Sequence, residues 1–454
     1  MDAGADAVGS AVRTQMNRRH RVAMRGPHSG PYGGAPSGCA RNAGNPFRGA
    51  RCRWAAVACG IVTLAGVGCA QRRPPPADVP ATVRGPVPVA GQATVSVFFV
   101  DGIARDRFDA LVAAGRLPRI AERFVRGGVR VDNAVTSLPS VTYANAVSLI
   151  TGRFPGHHGI LGNQWFDRDT LMLRDYGFAK TYRSVNEDFT AVTLYDLLAG
   201  EPSVNVQGHT RRGVTHTIDN WAESGIDWFL RDYSDVDARV GTRAVAVTAW
   251  SRRKGRWPSV YLSYFPGLDE IGHRFGSTSQ RYADALVTVD TAIGRILDEV
   301  ESQSQVPERY HVLVTDPGHV AHPPGRVCDL AAILENHFGL RVHQAACQQR
   351  TRKARAACLG DADAVLISGA FRCGIIHLRG PGGWSSPPPR KRVDNLLHGD
   401  PAKPDALGLA AWPGVRLVCA RSGPDAVEVV ARSGRCRIER RSSPAGKAYR
   451  VVDG

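Results

Sequence analysis

Closely spaced cysteine pairs are missing from this sequence: no cysteine occurs between residues 70 and 327, and none of the ten belongs to a CxxC motif. A zinc ribbon needs such closely spaced pairs, so that class of metal site has little support. Six cysteines follow, beginning at Cys328, and in an exported region they allow disulfides in many combinations. Among these combinations, a disulfide between Cys347 and Cys358 is the first that we expect.

Acidic residues and lysines are nearly absent from residues 1–93, which hold twelve Arg, three Asp and no Lys. This part of the chain carries +9 of the formal net charge of +17. A nucleic-acid-binding arm is one interpretation of such charge. Because no aromatic or helical pattern organises the arginines, we interpret residues 1–53 as a disordered basic leader. We expect no specific nucleic-acid binding.

The apolar run at residues 54–69 has no charge, but it is too short for a membrane span and suits a signal peptide. Its Arg-rich flank and the Pro-rich linker at residues 70–93 argue against an ordinary buried helix. The closing LAGVGC resembles a bacterial lipobox with Cys69 as the lipidated residue, although Gly66 stands where that pattern has Leu. The sequence therefore predicts an exported protein, periplasmic or lipid-anchored in the bacterial envelope, with Cys69 as its only link to a membrane.

Three short runs rich in β-branched and aromatic residues each lead into an aspartate. TVSVFFV stops at Asp101, SVYLSYF leads to Asp269, and YHVLVT ends at Asp316. Between the last two, residues 279–303 carry apolar side chains at helical spacing. Strands that alternate with helices predict an α/β fold, with a mostly parallel sheet and helices on both faces.

The three aspartates predict a metal site. Ligands of open parallel sheets bind outside the carboxyl ends of the strands, so acids at three such ends would lie close together. Asp269 and His273 are four residues apart and therefore share a helix face. Clustered carboxylates repel each other without a cation, and carboxylate oxygens with imidazole nitrogens suit zinc. One strand-end Asp is most often a turn residue; the set of three indicates function.

The motifs occur in a specific order: a strand ending in DG, then PSVT, then TG with PGHHGILGN, then DEIGH, then a strand ending in VTD. This order resembles the type I phosphodiesterase/nucleotide pyrophosphatase family of the alkaline phosphatase superfamily. The resemblance covers residues 94–340 and implies an alkaline-phosphatase-like catalytic core there. Residues 341–454 would be a Cys-containing cap or insert with a small β-hairpin around residues 433–434. The family's C-terminal part is expected to be missing.

The resemblance also implies residue roles. Thr142 of PSVT would be the nucleophile that attacks phosphorus, and Asn163 would donate a hydrogen bond to a phosphate oxygen. Two divalent ions, zinc in the family, would be bound, the first by Asp101, Thr142 and Asp316, the second partly by Asp269 and His273. Taken in isolation, Thr142 would be a plain N-cap of the helix that YANAVSLITG begins; beside the three strand-end acids, the nucleophile is the preferred interpretation. Near that N-terminus, free N–H groups and the helix dipole favour an anion.

Two positions depart from the family's pattern. The family has a His ligand directly after the Asp of its third strand, whereas this chain has Pro317, which offers no donor atom. His319 lies two residues further on, and we expect the ligand to be lost rather than displaced to it. The family's last ligand is a His in a late HG motif; here only His398-Gly399 follows, which we interpret as part of a surface loop. His158 is interpreted as structural.

The sequence thus predicts a metal-dependent hydrolase of phosphodiester or nucleotide pyrophosphate bonds, acting on a phosphate ester or a nucleotide. One alternative is a phosphomonoesterase, because the sequence does not determine whether a second ester group is accommodated. Another is an inactive, truncated family member that only binds metal or phosphate. A sulfatase is excluded, because the CxPxR stretch that supplies its nucleophile is absent.

Overall fold

The computed structural model describes residues 93–178, 181–198, 200–219, 221–302, 308–320, 328–369, 373–403, 406–443 and 446–453. All of these belong to one contact unit, Arg73–Gly454. The predicted leader, the signal-like segment with Cys69 and, apart from residue 93, the Pro-rich linker lie outside the described residues. Their interpretation stays a prediction.

The described residues form fourteen strands, grouped into four sheets. In chain order these are β1 (Ala93–Val100), β2 (Gln164–Asp167), β3 (Met172–Asp175), β4 (Ser203–Val206), β5 (His216–Ile218), β6 (Val260–Phe265), β7 (Glu308–Val314), β8 (Val342–His343), β9 (Ala364–Gly369), β10 (Cys373–Leu378), β11 (Leu417–Gly423), β12 (Ala426–Ala431), β13 (Gly434–Ser443) and β14 (Gly446–Asp453).

Fourteen α-helices connect and cover these strands within the same residues. They are α1 (Arg105–Ala113), α2 (Pro118–Ile120), α3 (Thr142–Thr151), α4 (Pro155–His158), α5 (Val185–Asp188), α6 (Leu194–Leu197), α7 (Trp221–Leu230), α8 (Tyr233–Thr242), α9 (Ala244–Lys254), α10 (Gly267–Phe275), α11 (Gln280–Glu301), α12 (Leu330–Asn336), α13 (Arg352–Leu359) and α14 (Arg390–His398). A π-helical segment, Ala121–Arg126, continues α2, and a 3₁₀ turn spans Leu409–Ala411.

The central sheet has the strand order β5-β4-β6-β1-β7, and every neighbouring pair is parallel. Its three middle-to-edge strands β6, β1 and β7 are the runs that the sequence predicted. The register aligns Val100 with Phe265 and Phe99 with Val314, so these strands end at the same level. The predicted α/β fold with a mostly parallel sheet is confirmed.

Helices cover both faces of this sheet. Side chains of β1 alternate between two hydrophobic clusters, with Phe98 and Val100 in one and Val97 and Phe99 in the other. Residues of α8, α9 and α11 fill the first cluster, and residues of α3 lie in the second. Burial on both faces explains why β1 and β6 are largely apolar instead of alternating between apolar and polar residues, whereas the edge strand β7 alternates between exposed and half-buried residues.

Beyond β7 the described strands are mostly antiparallel. One sheet has the order β10-β9-β8 and another the order β11-β12-β13-β14. The predicted hairpin around Ser433-Gly434 is β12 paired with β13, with Ala431 opposite Gly434. The expected small C-terminal β-containing region is therefore confirmed.

A disulfide joins Cys347 to Cys358, the pairing expected from the sequence. Cys347 also exchanges two backbone hydrogen bonds of 3.1 Å with Leu173 of β3. These contacts tie the segment after β8 to the β2–β3 hairpin.

His398 is not in a surface loop, so that prediction was wrong. It is the last residue of α14, and its Nε2 lies 2.9 Å from Glu428 Oε1 of β12. The helix forms because Leu396 and Leu397 pack into the C-terminal hydrophobic clusters, which outweighs the loop-forming prolines before it. No helix among the described residues has both the length and the apolar character needed to cross a membrane.

Candidate active site

The ends of β1 and β7 bring two acids side by side. Because Phe99 is level with Val314, Asp101 and Asp316 follow at equivalent positions on neighbouring strands. The backbone N–H of Gly102 donates to Asp316 Oδ1 at 3.0 Å, and that of Ile103 donates to Thr315 Oγ1 at 3.1 Å. The turn after β1 is thus attached directly to the end of β7.

Gly102 lets helix α10 approach this turn. Its φ is +74°, and a Cβ built there would lie 2.6 Å from Asp269 Oδ1 and 2.9 Å from Asp269 Cα. Only glycine satisfies both the left-handed backbone and this close approach. The DG motif therefore places the α10 acid against Asp101.

Helix α10 is fixed from its other side by a buried acid of α8. Asp237 is fully buried, and its Oδ1 accepts the backbone N–H of Gly267 at 2.9 Å, at the first residue of α10. Burial raises the pKa of Asp237 to about 7. This contact sets the position of the turn that carries Asp269 and His273.

Thr142 is the first residue of α3, and it is not the N-cap. The N-cap residue is Val141, with extended backbone and no side-chain cap hydrogen bond, so the plain-cap alternative is wrong. The Thr142 hydroxyl instead donates toward Asp101 Oδ1 at 3.5 Å. That distance is long for a hydrogen bond, as is common in ligand-free active sites.

Asn163 lies at the same helix end. Its Oδ1 accepts the backbone N–H of Tyr143 at 3.0 Å, which satisfies one free donor in the first turn of α3. Its backbone carbonyl accepts the N–H of Tyr176 at 3.0 Å, which holds the segment in place. With Oδ1 engaged, the NH₂ group is the donor that Asn163 offers beside Thr142.

The paired acids have the chemistry of a cation site. Burial and then the charges of Asp316 and Asp269 raise the pKa of Asp101 well above its usual range, and burial raises the pKa of Asp316 to about 6. Asp101 Oδ2 accepts the hydroxyl of Tyr264 at 2.5 Å. Asp316 Oδ2 is buried without a hydrogen-bond donor among the described residues. Such an unsatisfied oxygen in an acid pair fits a divalent ion.

A second donor group lies next to this pair. Asp269, His273 and His319 place their ligand atoms within 4.8 Å of one another. His273 Nε2 is 3.3 Å from Asp269 Oδ2, and His319 Nε2 is 2.9 Å from Asp269 Oδ1. Burial acts to raise the pKa of Asp269, but its hydrogen bonds with His273 and His319 lower that pKa to about 2.

The structure thus brings together all six predicted site residues: Asp101, Thr142, Asn163, Asp269, His273 and Asp316. His319, which was not expected to replace the ligand missing at residue 317, instead lies in the group with Asp269 and His273. The turn after Asp316 carries His319 back over α10, where it contacts Asp269. Pro317 remains without a donor atom, as expected.

Sequence reasoning missed the residues that support the site. Tyr264 lies in the predicted strand SVYLSYF, and its hydroxyl donates to Asp101. Tyr282 lies in the segment with helical spacing, and its hydroxyl donates to Gly102 O and accepts from Ala104 N, both at 2.7 Å. The role of Tyr264 could have been inferred from its position, because it is the last but one residue of a predicted strand that leads into the site.

His158 is buried and structural, as interpreted. Its Nε2 lies 3.1 Å from Ser148 Oγ, and its Nδ1 accepts the Ile160 N–H at 3.1 Å. Burial lowers its pKa to about 4, so the ring is neutral at neutral pH. Both ring nitrogens are used within the fold.

A sequence profile described as type I phosphodiesterase/nucleotide pyrophosphatase matches residues 95–366, more than half of the chain. The chain belongs to this family. An uncharacterised pyrophosphatase/phosphodiesterase of Schizosaccharomyces pombe is 27% identical over 256 residues, which cover 55% of this chain and 48% of that protein. Human ectonucleotide pyrophosphatase/phosphodiesterase family member 1 is 24% identical over 49% of this chain and 23% of its own length. The chain thus spans about half or less of these relatives.

Two solved structures are also similar to this chain. Murine ectonucleotide pyrophosphatase/phosphodiesterase 5, an inactive variant in complex with AMP, is 17% identical with a TM-score of 0.47, covering 69% of this chain and 71% of that one. Phosphonoacetate hydrolase of Sinorhizobium meliloti is 19% identical with a TM-score of 0.36, covering 46% of this chain and 54% of that one.

Proposed function

We propose that this protein hydrolyses phosphodiester or nucleotide pyrophosphate bonds through Thr142. The observation that carries the proposal is the position of the Thr142 hydroxyl, at the start of α3 and 3.5 Å from Asp101. A threonine that does not cap its helix, aimed at a buried acid pair, has no structural role that accounts for it. Family membership supports the reaction class.

Each of these residues has a different role in an in-line displacement at phosphorus. Thr142 Oγ1 attacks phosphorus and the bond to the leaving alcohol or phosphate breaks, which leaves Thr142 joined to phosphorus together with the remaining ester group; water then cleaves the Thr142–phosphorus linkage, releases the phosphate monoester and restores the hydroxyl. Asp101 Oδ1 orients the hydroxyl before attack. The N-terminus of α3 and the Asn163 NH₂ stabilise charge on the non-bridging phosphate oxygens.

Two divalent ions fit the donor groups. Asp101, Thr142 and Asp316 would hold one ion, and Asp269 with His273 would hold part of the second. When bound, such ions lower the pKa of a coordinated hydroxyl and neutralise phosphate charge. The donor chemistry supports zinc at the group that contains imidazole.

We further propose that the substrate is a nucleotide or another phosphate ester. The AMP complex of the murine relative supports a nucleotide. Export with lipidation at Cys69 also remains a proposal, supported by the LAGVGC sequence. Mass spectrometry of envelope protein should find a chain that begins at Cys69; a retained leader on cytosolic protein would contradict it.

The function is tested with Thr142→Ala and Thr142→Ser on bis(4-nitrophenyl) phosphate and on 4-nitrophenyl phosphate. We expect the alanine variant to lose diester hydrolysis and the serine variant to retain part of it, because serine keeps an attacking oxygen. Both should melt within a few degrees of the natural protein, since Val141 holds the N-cap position. Full activity of Thr142→Ala would refute the nucleophile. Preference for the monoester would favour the phosphomonoesterase alternative.

A further inference from the structure

We infer that His319 is a third protein ligand of the ion held by Asp269 and His273, so that this chain forms an Asp-His-His site from α10 and the turn after β7. The inference deepens the proposed function and rests on it for the expectation of an ion. It assigns a metal ligand to a position outside the family's motif, two residues beyond Pro317.

The distances between donor atoms fit one ion. His319 Nε2 lies 2.9 Å from Asp269 Oδ1, His273 Nε2 lies 3.3 Å from Asp269 Oδ2, and all three ligand atoms are within 4.8 Å of one another. Tetrahedral zinc with bonds of about 2.0–2.2 Å places its ligand atoms roughly 3.3–3.6 Å apart. Small side-chain rotations are enough to reach that geometry.

The position of His319 is built into the fold. A Cβ on Gly272 would lie 2.5 Å from His319 Nε2 and 2.6 Å from its Cδ2, so only glycine at this point of α10 leaves room for the ring. The imidazole meets the His273 ring edge-to-face, with centroids 4.7 Å apart, and its side chain is only 9% exposed. The ring is therefore held with Nε2 toward the carboxylate rather than toward solvent.

An ion pair without a metal is the competing explanation, because His319 could simply neutralise Asp269. Two imidazoles on one carboxylate, with all three ligand atoms within 4.8 Å of one another, favour the ion, because one imidazole is enough for an ion pair with Asp269 and the second has no place in it. Neutral imidazoles with Asp, by contrast, are the ligand set of common zinc sites with an open fourth position. That open position would face the substrate.

The experiment is a zinc titration by calorimetry, with elemental analysis, of the full natural chain and three variants. We expect His319→Ala and His319→Gln to weaken the tight zinc site by about 100-fold or more, since even an outer-shell change costs roughly 10–100-fold. Glutamine can still donate a hydrogen bond to Asp269, so it separates ligation from the ion pair. His398→Ala is the matched control: its imidazole lies in the other His-containing acidic group, with Asp394 and Glu428, and its affinity should not change.

Melting temperatures without metal distinguish the two explanations. If His319 is a ligand, His319→Gln should lose zinc but melt like the natural chain. If His319 only forms an ion pair, the variant should keep its zinc affinity and melt at a lower temperature. That second result would overturn the inference. Zinc binding lost in His398→Ala instead would also overturn it.

Hydrolysis of bis(4-nitrophenyl) phosphate by the natural chain, measured in parallel, separates this inference from the proposed function. If the natural chain shows no hydrolysis but His319→Gln loses zinc, His319 is a ligand and the proposed function is refuted. If the natural chain hydrolyses the diester but His319→Gln binds zinc unchanged, the proposed function stands and the ligand role of His319 is refuted.

Discussion

The two halves of the candidate site differ in their donor atoms. Asp269, His273 and His319 form the nitrogen half, which combines two imidazoles with one carboxylate. Asp101, Thr142 and Asp316 form the oxygen half, in which the protein offers only oxygen because residue 317 is proline. Imidazole suits zinc, whereas oxygen-only sites suit harder cations such as Mg²⁺ or Mn²⁺. From this difference we expect one tight zinc site and one weaker site that prefers a harder cation.

The halves also differ in how the fold builds them. The nitrogen half uses helical spacing in α10 and a returning turn, and Asp237 fixes the helix. The oxygen half uses the ends of two neighbouring strands with the start of α3, and Tyr264 holds Asp101. A local substitution should therefore affect one half without the other.

The largest change is expected from the variant that removes the difference in donor atoms between the two halves. Pro317→His places an imidazole directly after Asp316, and we expect the number of tightly bound zinc ions to rise from one to two per chain. Imidazole would complete the oxygen half. Elemental analysis after dialysis measures the count. Pro317→Ala removes the ring without adding a donor and should leave it at one.

A smaller effect is expected from Tyr264→Phe, which removes the 2.5 Å hydrogen bond to Asp101 Oδ2. We expect Mn²⁺ affinity of the oxygen half to fall about tenfold, at the lower end of the range for outer-shell changes. Zinc affinity of the nitrogen half should stay the same, and competition titrations measure both. Equal losses at both halves would show a general packing defect instead.

The smallest effect is expected from Asp237→Asn, which changes the pH dependence of stability and tests how α10 of the nitrogen half is supported. The pKa of Asp237 is raised to about 7, so its stabilising contribution is complete below about pH 4 and is lost as pH rises through 7. Asparagine keeps the acceptor for the Gly267 N–H without the titration. Thermal unfolding should show the variant equal to the natural chain near pH 4 and more stable at pH 8. A constant difference across that range would contradict the assignment.

Much of the fold could be predicted because β1, β6 and β7 are short runs rich in β-branched and aromatic residues and α11 has clear helical spacing. The strand-end acids followed from the parallel arrangement. His319 could not be predicted in the same way, because its contact with Asp269 spans fifty residues and depends on how the turn after β7 bends. From spacing alone, the ligand after Asp316 was expected to be lost, and His319 was given no role. The space left by Gly272 became visible only in three dimensions.

Other supporting contacts were equally hidden in the sequence. Asp237 occurs in the ordinary-looking helix α8, and nothing local marks its carboxylate as the partner of α10. The role of Thr142 likewise depended on backbone geometry, because a threonine before a helical run predicts a cap unless Val141 already holds that position. Long-range packing decided each of these cases.

The most direct test of zinc binding by the nitrogen half is an anomalous difference map at the zinc edge, from a crystal grown with about one equivalent of Zn²⁺. We expect one strong peak, from an ion bound by the Asp269 carboxylate and by nitrogen atoms of His273 and His319. A peak between Asp101 and Asp316, with the His319 ring turned away, would contradict it.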